Sequence, residues 1–370
     1  MKIGTLSLNI NTDDLNYGAM LHSWAFLEYL KKRQLADNVE VIDYTTQQLE
    51  NFQKNSPVCS YIRMHRWRSA LKLLISVQKY KNRQKKFENF IKTYMHVSKE
   101  SYTQATLEKT KLEYDCLICE SDVIWSPRFY DNGKFDATFF CALGNMTDKR
   151  KIIYAASTAN ANFNKEELDV FRKLIQFPDY VSCRERYGTE IIKLCGRQDV
   201  ETVIDPVLLL EKQDYEKIIA ERMVRDPYLL IYIPLNYDRR YQSKARNYAK
   251  KHNLKIVEIS YYTFHSISHE VIADAGIEEF LSLIKYAEAV FTNSFHAVCF
   301  CCLFHKEFYA FSRKTGRKTE DLCKRLGLNE NYVSIDDFHE RERIDFDKVD
   351  TYLRNERKRS EEWLESVIRG

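Results

Sequence analysis

Residues 288–304 (EAVFTNSFHAVCFCCLF) form an apolar stretch that a few polar residues interrupt. Residues 289–291 are typical of a short buried strand, and residues 297–304 of a buried helix. Thr292, Asn293 and Ser294 therefore lie where a strand ends and a helix begins. This pattern predicts an open α/β sheet, in which ligands bind at the carboxyl ends of strands and anions at helix N-termini.

Ser294 and His296 are candidate ligand-binding residues at this junction. Taken alone, they favour a simpler interpretation, in which Asn293 or Ser294 caps the helix and His296 is a hydrogen-bonded core histidine. The choice between a ligand-binding site and a capped helix with a core histidine depends on the other motifs of the chain.

The length of 370 residues predicts two domains, and a net charge of +4 argues against a general nucleic-acid binder. The ten cysteines are mostly in apolar segments, as expected of thiols in a reducing compartment. The first residues show no signal peptide, and no apolar run reaches the ~20 residues of a membrane span. We therefore expect a cytoplasmic protein.

Glycine is scarce, with 10 residues, and no two glycines are spaced G-x-G. The dinucleotide fingerprint and the P-loop are therefore absent, so any phosphate must be held by side chains and helix N-termini. We also expect no metal and no cofactor. His265 and His269 lack the glutamate of a zinc-protease helix, and Asp345 and Asp347 are better explained as helix-capping residues.

Strands alternate with helices in both halves of the chain, which predicts two facing Rossmann-like doubly wound α/β domains with a cleft between them. The first domain is expected at residues 1–215 and the second at 226–344. A final helix at 345–370 is expected to pack back on the first domain. The predicted strands are 2–9, 39–44, 114–119, 151–157, a short strand from 180, 201–210, 228–233, 255–260, 289–291 and 308–311.

A basic segment at about 61–95 interrupts this alternation. It contains ten lysines and arginines but a single acid, Glu88: Arg63, Arg66, Arg68, Lys72, Lys79, Lys81, Arg83, Lys85, Lys86 and Lys92. Interleaved apolar residues predict an amphipathic helical insertion. It could contact an anionic membrane surface or an acidic, lipid-linked substrate. The alternative is an ordinary solvated helix face.

Polar residues at the predicted strand ends form the candidate site, because the carboxyl ends of parallel strands converge. They are Asn16, Ser121, Asp122, Trp125, Ser157, Arg184, Arg186, Ser294, His296, Arg313 and Arg317. Arginine offers a bidentate fork to carboxylate or phosphate, and histidine can transfer a proton near neutral pH. The set therefore predicts an anion site with a proton donor.

Several short motifs resemble the polysaccharide pyruvyl transferase family, in the order found there. They are NYGA at 16–19, SDVIWSP at 121–127, YAAS at 154–157, SCRER at 182–186, DPVLL at 205–209 and TNSFHA at 292–297. The resemblance implies a GT-B-like fold. It also implies transfer of a pyruvyl group from phosphoenolpyruvate to two hydroxyls of a sugar, forming a ketal without a metal.

The resemblance also implies roles for individual residues. Arg184 matches the family's phosphoenolpyruvate-binding arginine and His296 its histidine, while Tyr17 belongs to a substrate-binding motif. Two positions differ from the family pattern. Ser294 stands where some members have arginine, so Arg313 or Arg317 would supply the second anion contact. Glu120 stands where members usually have glycine, a change that could alter the acceptor pocket.

The mechanism that the resemblance implies uses His296 to protonate the methylene carbon of phosphoenolpyruvate, while Asp122 orients or deprotonates the acceptor. The acceptor would be a sugar of a surface polysaccharide or a lipid-linked oligosaccharide, and the protein could reach it at the inner face of the membrane. Two alternatives stay open: a GT-B glycosyltransferase that uses a nucleotide sugar, and a carbohydrate-binding relative without catalysis.

Overall fold

The computed structural model describes residues 1–8, 10, 15–46, 62, 67, 71, 76–127, 135–159, 162–235, 237–260, 270–313 and 317–370. The chain divides into two compact units. Unit one consists of Met1–Asn55, Phe90–Leu210 and Arg354–Gly370, and unit two of Ser56–Asn89 and Glu211–Leu353.

Unit one is built on a seven-stranded parallel sheet with the order β3-β2-β1-β4-β5-β6-β7. The strands are β1 (Lys2–Leu6), β2 (Asn38–Tyr44), β3 (Val97–Tyr102), β4 (Cys116–Glu120), β5 (Arg150–Ala156), β6 (Tyr180–Cys183) and β7 (Val200–Thr202). The helices within residues 1–210 are α1 (Tyr17–Lys32), α2 (Val77–Tyr94), α3 (Gln104–Leu107), α4 (Lys165–Leu174) and α5 (Arg186–Leu194), of which α2 begins in unit two. The central strands β1, β4 and β5 are almost entirely buried, as parallel strands covered on both faces must be.

Unit two repeats the arrangement with a six-stranded parallel sheet in the order β10-β9-β8-β11-β12-β13. The strands are β8 (Tyr228–Tyr232), β9 (Lys255–Ile259), β10 (Glu270–Ile272), β11 (Ala289–Thr292), β12 (Glu307–Phe311) and β13 (Tyr332–Val333). The helices are α6 (Lys212–Tyr215), α7 (Arg239–Lys251), α8 (Ile277–Lys285), α9 (Phe295–Leu303), α10 (Arg317–Arg325) and α11 (Phe346–Arg369).

Both sheets are doubly wound, because the strand order reverses direction once in each. The reversal falls between β1 and β4 in unit one, and between β8 and β11 in unit two. In open α/β sheets, ligands bind beside the carboxyl ends of the strands at such a reversal. These two places are therefore where a site is expected in each unit.

Most predicted strands are present, with some differences. The strand predicted at 201–210 is only three residues long, because Asp205 caps a 3-10 turn at Pro206–Leu208. Sequence reasoning missed β3, β10 and β13. β10 and β13 are very short, and β3 (VSKESY) is polar and partly exposed. All three are edge strands, which lack the apolar signal of a central strand.

Two helices have residues in both units. α2 contributes its first part to unit two, where Lys79 pairs with Asp274 at 2.9 Å and Lys86 with Glu279 at 2.6 Å. From Arg354 on, α11 belongs to unit one, where Ser360 Oγ accepts a hydrogen bond from the Ile204 amide at 3.0 Å. In the part of the chain that the structure describes, no helix is both long and apolar enough to cross a membrane.

Candidate functional sites

In unit two, polar side chains join the ends of β8 and β11. Thr292 Oγ1 donates to the carbonyl of Tyr232 at 2.7 Å, and Asn293 Nδ2 donates to the carbonyl of Leu235. Thr292 Oγ1 also accepts from the Ser294 amide at 3.0 Å. These bonds fix the turn that leads from β11 into α9 at the strand reversal.

Ser294 is the N-cap residue of α9, and its Oγ accepts a hydrogen bond from the Ala297 amide at 3.4 Å. All residues of α9 are buried, so its first-turn amides and its positive dipole end lie in a low-dielectric environment. His296 is the second residue of the helix and is 6% exposed. The sequence FHAVCFCCL thus produces a buried helix whose N-terminus carries a histidine and attracts anions.

Two cations lie close to this end of the sheet. Arg313 follows β12, the neighbour of β11, and is half-buried. Burial lowers the pKa of its guanidinium, and among the described residues no carboxylate forms an ion pair with it. Lys318 Nζ lies 5.9 Å from the centre of the Phe295 ring. Arg317, at the start of α10, is exposed. The β11–α9 junction is therefore a candidate anion site.

In unit one, the candidate site begins at the end of β4. Ser121 and Asp122 both adopt left-handed backbone conformations, with φ of 50° and 49°. Residues other than glycine adopt this region at a cost of about 1–3 kcal/mol, and such strain gathers at functional sites. Two backbone hydrogen bonds to β5 and the residue after it hold the turn. The Ser121 amide donates to the Tyr154 carbonyl at 2.7 Å, and the Ser157 amide donates to the Asp122 carbonyl at 2.9 Å.

Arg184 lies beneath this turn and is 0% exposed. Its Nη1 donates to Asp205 Oδ2 at 2.6 Å and to Ser121 Oγ at 3.1 Å, and its Nε donates to Glu185 Oε1 at 3.0 Å. Its Nη2 lies 3.8 Å from Asp122 Oδ1. Burial alone would lower the pKa of Arg184, but the surrounding carboxylates raise it, so the guanidinium stays charged. Glu185 and Asp205 thus bind Nε and Nη1 of the guanidinium, and Nη2 is buried with them.

Glu120 points away from this turn and into α1. Its Oε2 lies 2.7 Å from His22 Nδ1, its Oε1 accepts a hydrogen bond from Ser23 Oγ, and the three residues are buried. Burial raises the pKa of Glu120, although His22 opposes the shift; burial would lower the pKa of His22, but Glu120 raises it. Since Glu120 binds α1, its bulk is directed into the core of unit one.

The other predicted site residues divide by exposure. Asn16 is exposed and caps α1, accepting from the Gly18 amide at 2.9 Å and the Ala19 amide at 3.3 Å. Arg186 is exposed at the start of α5. Tyr17, Trp125 and Ser157 are fully buried. Tyr17 and Trp125 thus pack in the core of unit one.

The structure brings together Ser121, Asp122 and Arg184 in unit one, and Ser294 with His296 in unit two. Sequence reasoning did not place Asp205, Glu185, His22 or Ser23 in the site. A signal for the first two existed: Asp205 and Glu185 belong to the motifs DPVLL and SCRER. For His22 and Ser23 the only signal was a polar pair inside a helix that is otherwise mostly apolar (YGAMLHSWAFLEYLKK).

Two doubly wound parallel sheets, each with polar residues at its strand reversal, define a two-domain α/β protein of the GT-B type. Solved structures with this fold are similar. A UDP-N-acetylglucosamine 2-epimerase matches with a TM-score of 0.52 and 12% identity, covering 98% of this chain and 95% of that one. The UDP-GlcNAc 2-epimerase of Methanocaldococcus jannaschii matches with a TM-score of 0.51 and 12% identity, covering 96% and 92%. At such identities the likeness shows the fold alone.

The chain belongs to the polysaccharide pyruvyl transferase family, whose model matches residues 16–315. The resemblance seen in the sequence motifs is thereby confirmed, and the family assignment makes the protein a transferase. A comparison with curated proteins gave no match.

Proposed function

We propose that this protein transfers a pyruvyl group from phosphoenolpyruvate to two hydroxyls of a sugar, forming a cyclic ketal. The observation that carries the proposal is the β11–α9 junction. It combines a buried helix N-terminus, His296 in the first turn, and the half-buried Arg313 without a carboxylate partner among the described residues. Phosphoenolpyruvate carries a phosphate and a carboxylate, which are the groups that helix N-termini and arginine bind.

In the proposed reaction, His296 donates a proton to the methylene carbon, which becomes the methyl group of the ketal. The carbon that carries the phosphate gains positive charge, and a sugar hydroxyl bonds to it and loses its proton. The bond to the phosphate oxygen then breaks, and phosphate leaves with the electron pair. The second hydroxyl bonds to the same carbon, loses its proton and closes the ring. Of the two hydroxyl protons, one restores His296 and the other leaves with phosphate. A positioned general acid contributes about 100- to 10,000-fold to such a step.

We assign Arg184 a positioning role, although the family resemblance implies contact with the donor. The guanidinium is 0% exposed and is bound by Asp205 and Glu185. Its Nη2 is 3.8 Å from Asp122, which is 7% exposed. In this assignment Arg184 fixes Asp122, and Asp122 orients or deprotonates an acceptor hydroxyl. In this assignment, Arg313 contacts the anionic groups of phosphoenolpyruvate.

The acceptor in this proposal is a sugar of a surface polysaccharide or of a lipid-linked oligosaccharide, and no metal or cofactor takes part. Such an acceptor would place the protein in the cytoplasm, at the inner face of the cell membrane.

The decisive test is thermal stabilisation by phosphoenolpyruvate compared with UDP, GDP and CMP. A ligand at 100 times its dissociation constant adds about 2.7 kcal/mol to the free energy of unfolding, which is easily measured as a melting shift. We expect a shift with phosphoenolpyruvate that Arg313→Gln abolishes and that the exposed control Arg317→Gln retains. A shift with a nucleotide alone would overturn the proposal in favour of a glycosyltransferase. Sugar binding without release of phosphate from phosphoenolpyruvate would indicate a non-catalytic relative.

A further inference from the structure

The basic segment contains the largest charge imbalance in the sequence. Residues 51–87 include ten lysines and arginines and no aspartate or glutamate. Five of these cations lie outside the described residues: Lys54, Arg63, Arg66, Arg68 and Lys72. The structure shows how the cations of α2 are used, a distinction that the sequence could not provide.

Three cations of α2 serve the packing of unit two. Lys79 pairs with Asp274 at 2.9 Å, and Lys86 pairs with Glu279 at 2.6 Å. The stem of Lys86 also packs against Gly276, where an added Cβ would lie 2.9 Å from Lys86 Cβ. Arg83 is 1% exposed. Lys79 and Lys86 are thus paired with carboxylates of unit two, and Arg83 is buried.

The other three cations, Lys81, Lys85 and Lys92, are exposed. Within the described parts of the chain, none of them forms an ion pair with a carboxylate. Their separations of four and seven residues put them on one stripe of the helix at 3.6 residues per turn. This stripe contains one acid, Glu88. It therefore has a net positive charge that nothing described in the molecule neutralises.

Exposed apolar side chains accompany the stripe. Val77, four residues before Lys81, is 42% exposed, and Trp67 and Leu71 are each 61% exposed. Trp67 is one of the four tryptophans of the chain, and the other three belong to α1, the β4 turn and α11. An exposed large aromatic side chain in a segment that also carries several cations is the combination found in segments that bind at the membrane–water interface.

We propose that Trp67, Leu71, Val77, Lys81, Lys85 and Lys92 form a surface that binds the headgroups of anionic phospholipids. The lysines would contact phosphate and carboxylate groups, and Trp67 and Leu71 would enter the interfacial layer. Anionic phospholipids are inferred as the partner because the lysines complement their charge and because exposed aromatic and aliphatic side chains accompany these lysines in the sequence. The inference does not depend on the proposed reaction, since it would hold for any activity of the two units.

The test is co-sedimentation of the full chain with vesicles of phosphatidylcholine, with and without phosphatidylserine, at low and high salt. We expect binding that requires phosphatidylserine and falls with salt, because screening weakens interactions between exposed charges. Lys81→Gln/Lys85→Gln/Lys92→Gln should bind roughly 100-fold more weakly, since each basic residue near such a surface contributes about fivefold.

The matched control removes the same charge elsewhere. Lys109→Gln/Lys173→Gln/Lys193→Gln changes three lysines that are exposed in unit one. This control should bind as the wild type does, whereas Trp67→Ser should weaken binding by a factor that salt does not change. Wild-type protein that ignores phosphatidylserine would overturn the proposal. Equal losses in the two triple variants would also overturn it, because they would show an effect of net charge alone.

Discussion

Nδ1 of His22 lies 2.7 Å from Oε2 of Glu120, and both side chains are fully buried. The contact joins α1 to the end of β4, directly before the strained turn at Ser121 and Asp122. The resemblance to the family implies glycine at this position. In this protein the buried acid at position 120 is accommodated because it forms hydrogen bonds with His22 and Ser23.

The pair predicts how stability depends on pH. The folded-state pKa values of Glu120 and His22 are both raised above their ordinary values of 4.5 and 6.5. A group whose folded pKa is raised binds more protons in the native state. Its contribution is therefore complete below the ordinary pKa and is lost as pH rises through the folded pKa. We expect the melting temperature of the wild type to fall, relative to that of Glu120→Gln/His22→Asn, as pH rises from about 5 to about 8. Asp122 and Asp205 also face His22 and stay unchanged in the comparison. Parallel pH profiles would contradict the prediction.

Arg184 and Arg186 provide a second, internally controlled prediction. Arg184→Ala leaves Asp205 and Glu185 buried without their cation, and breaking a buried ion pair in this way typically costs about 3–5 kcal/mol. Arg186 is exposed, so Arg186→Ala should change the free energy of unfolding by about 0.5 kcal/mol or less. Denaturant unfolding of both variants measures the difference. If Arg184→Ala were as stable as Arg186→Ala, the buried network would not have the structural role assigned to it.

The packing of α5 on β6 supports a third prediction. A Cβ added at Gly188 would lie 2.3 Å from Cys183 Sγ, closer than any normal contact. Gly188→Ala should therefore destabilise unit one by about 1–3 kcal/mol, the usual cost of overpacking a core. Removing the sulfur with Cys183→Ala should restore part of this loss in the double variant. A double variant whose destabilisation equals the sum of the two single effects would show that the clash is not the cause.

The junction of β11 and α9 shows how far the sequence can lead. The sequence predicts an apolar strand, three polar residues and an apolar helix here, because buried elements require continuous apolar runs. The structure has β11 and α9 where the pattern predicts them. The edge strand β10 (EVI) could not be predicted from the sequence, because it has only three residues and just one of them is buried. The apolar pattern that predicts a strand or a helix arises from burial, so it is weakest in the least buried elements.

The candidate sites were predictable in position but not in orientation. Arg184 and Arg186 are two residues apart in one motif, yet one is 0% exposed and the other lies in solvent. Trp125 follows the β4 turn as predicted, but its ring stacks on Phe140 at 5.4 Å and its Nε1 donates to the Phe139 carbonyl at 3.2 Å. Residue type and spacing identify which side chains are near a strand end. Only the packing of distant segments determines which of them reach solvent.

The last prediction separates catalysis from capping at the start of α9, and it rests on the proposed function. His296→Gln removes the general acid but keeps a side chain of similar size, so turnover of phosphoenolpyruvate should fall by about 100- to 10,000-fold. The melting temperature should change little, because glutamine keeps a polar side chain of similar size at this buried position in the first turn. Ser294→Ala removes the N-cap hydroxyl and should cost about 1 kcal/mol of stability while most of the turnover remains.

Phosphate release and thermal melting, measured on both variants, give opposite patterns if the assignment is right. Wild-type turnover in His296→Gln would remove His296 from the mechanism. Equal loss of stability in both variants would mean that His296, like Ser294, only supports the helix.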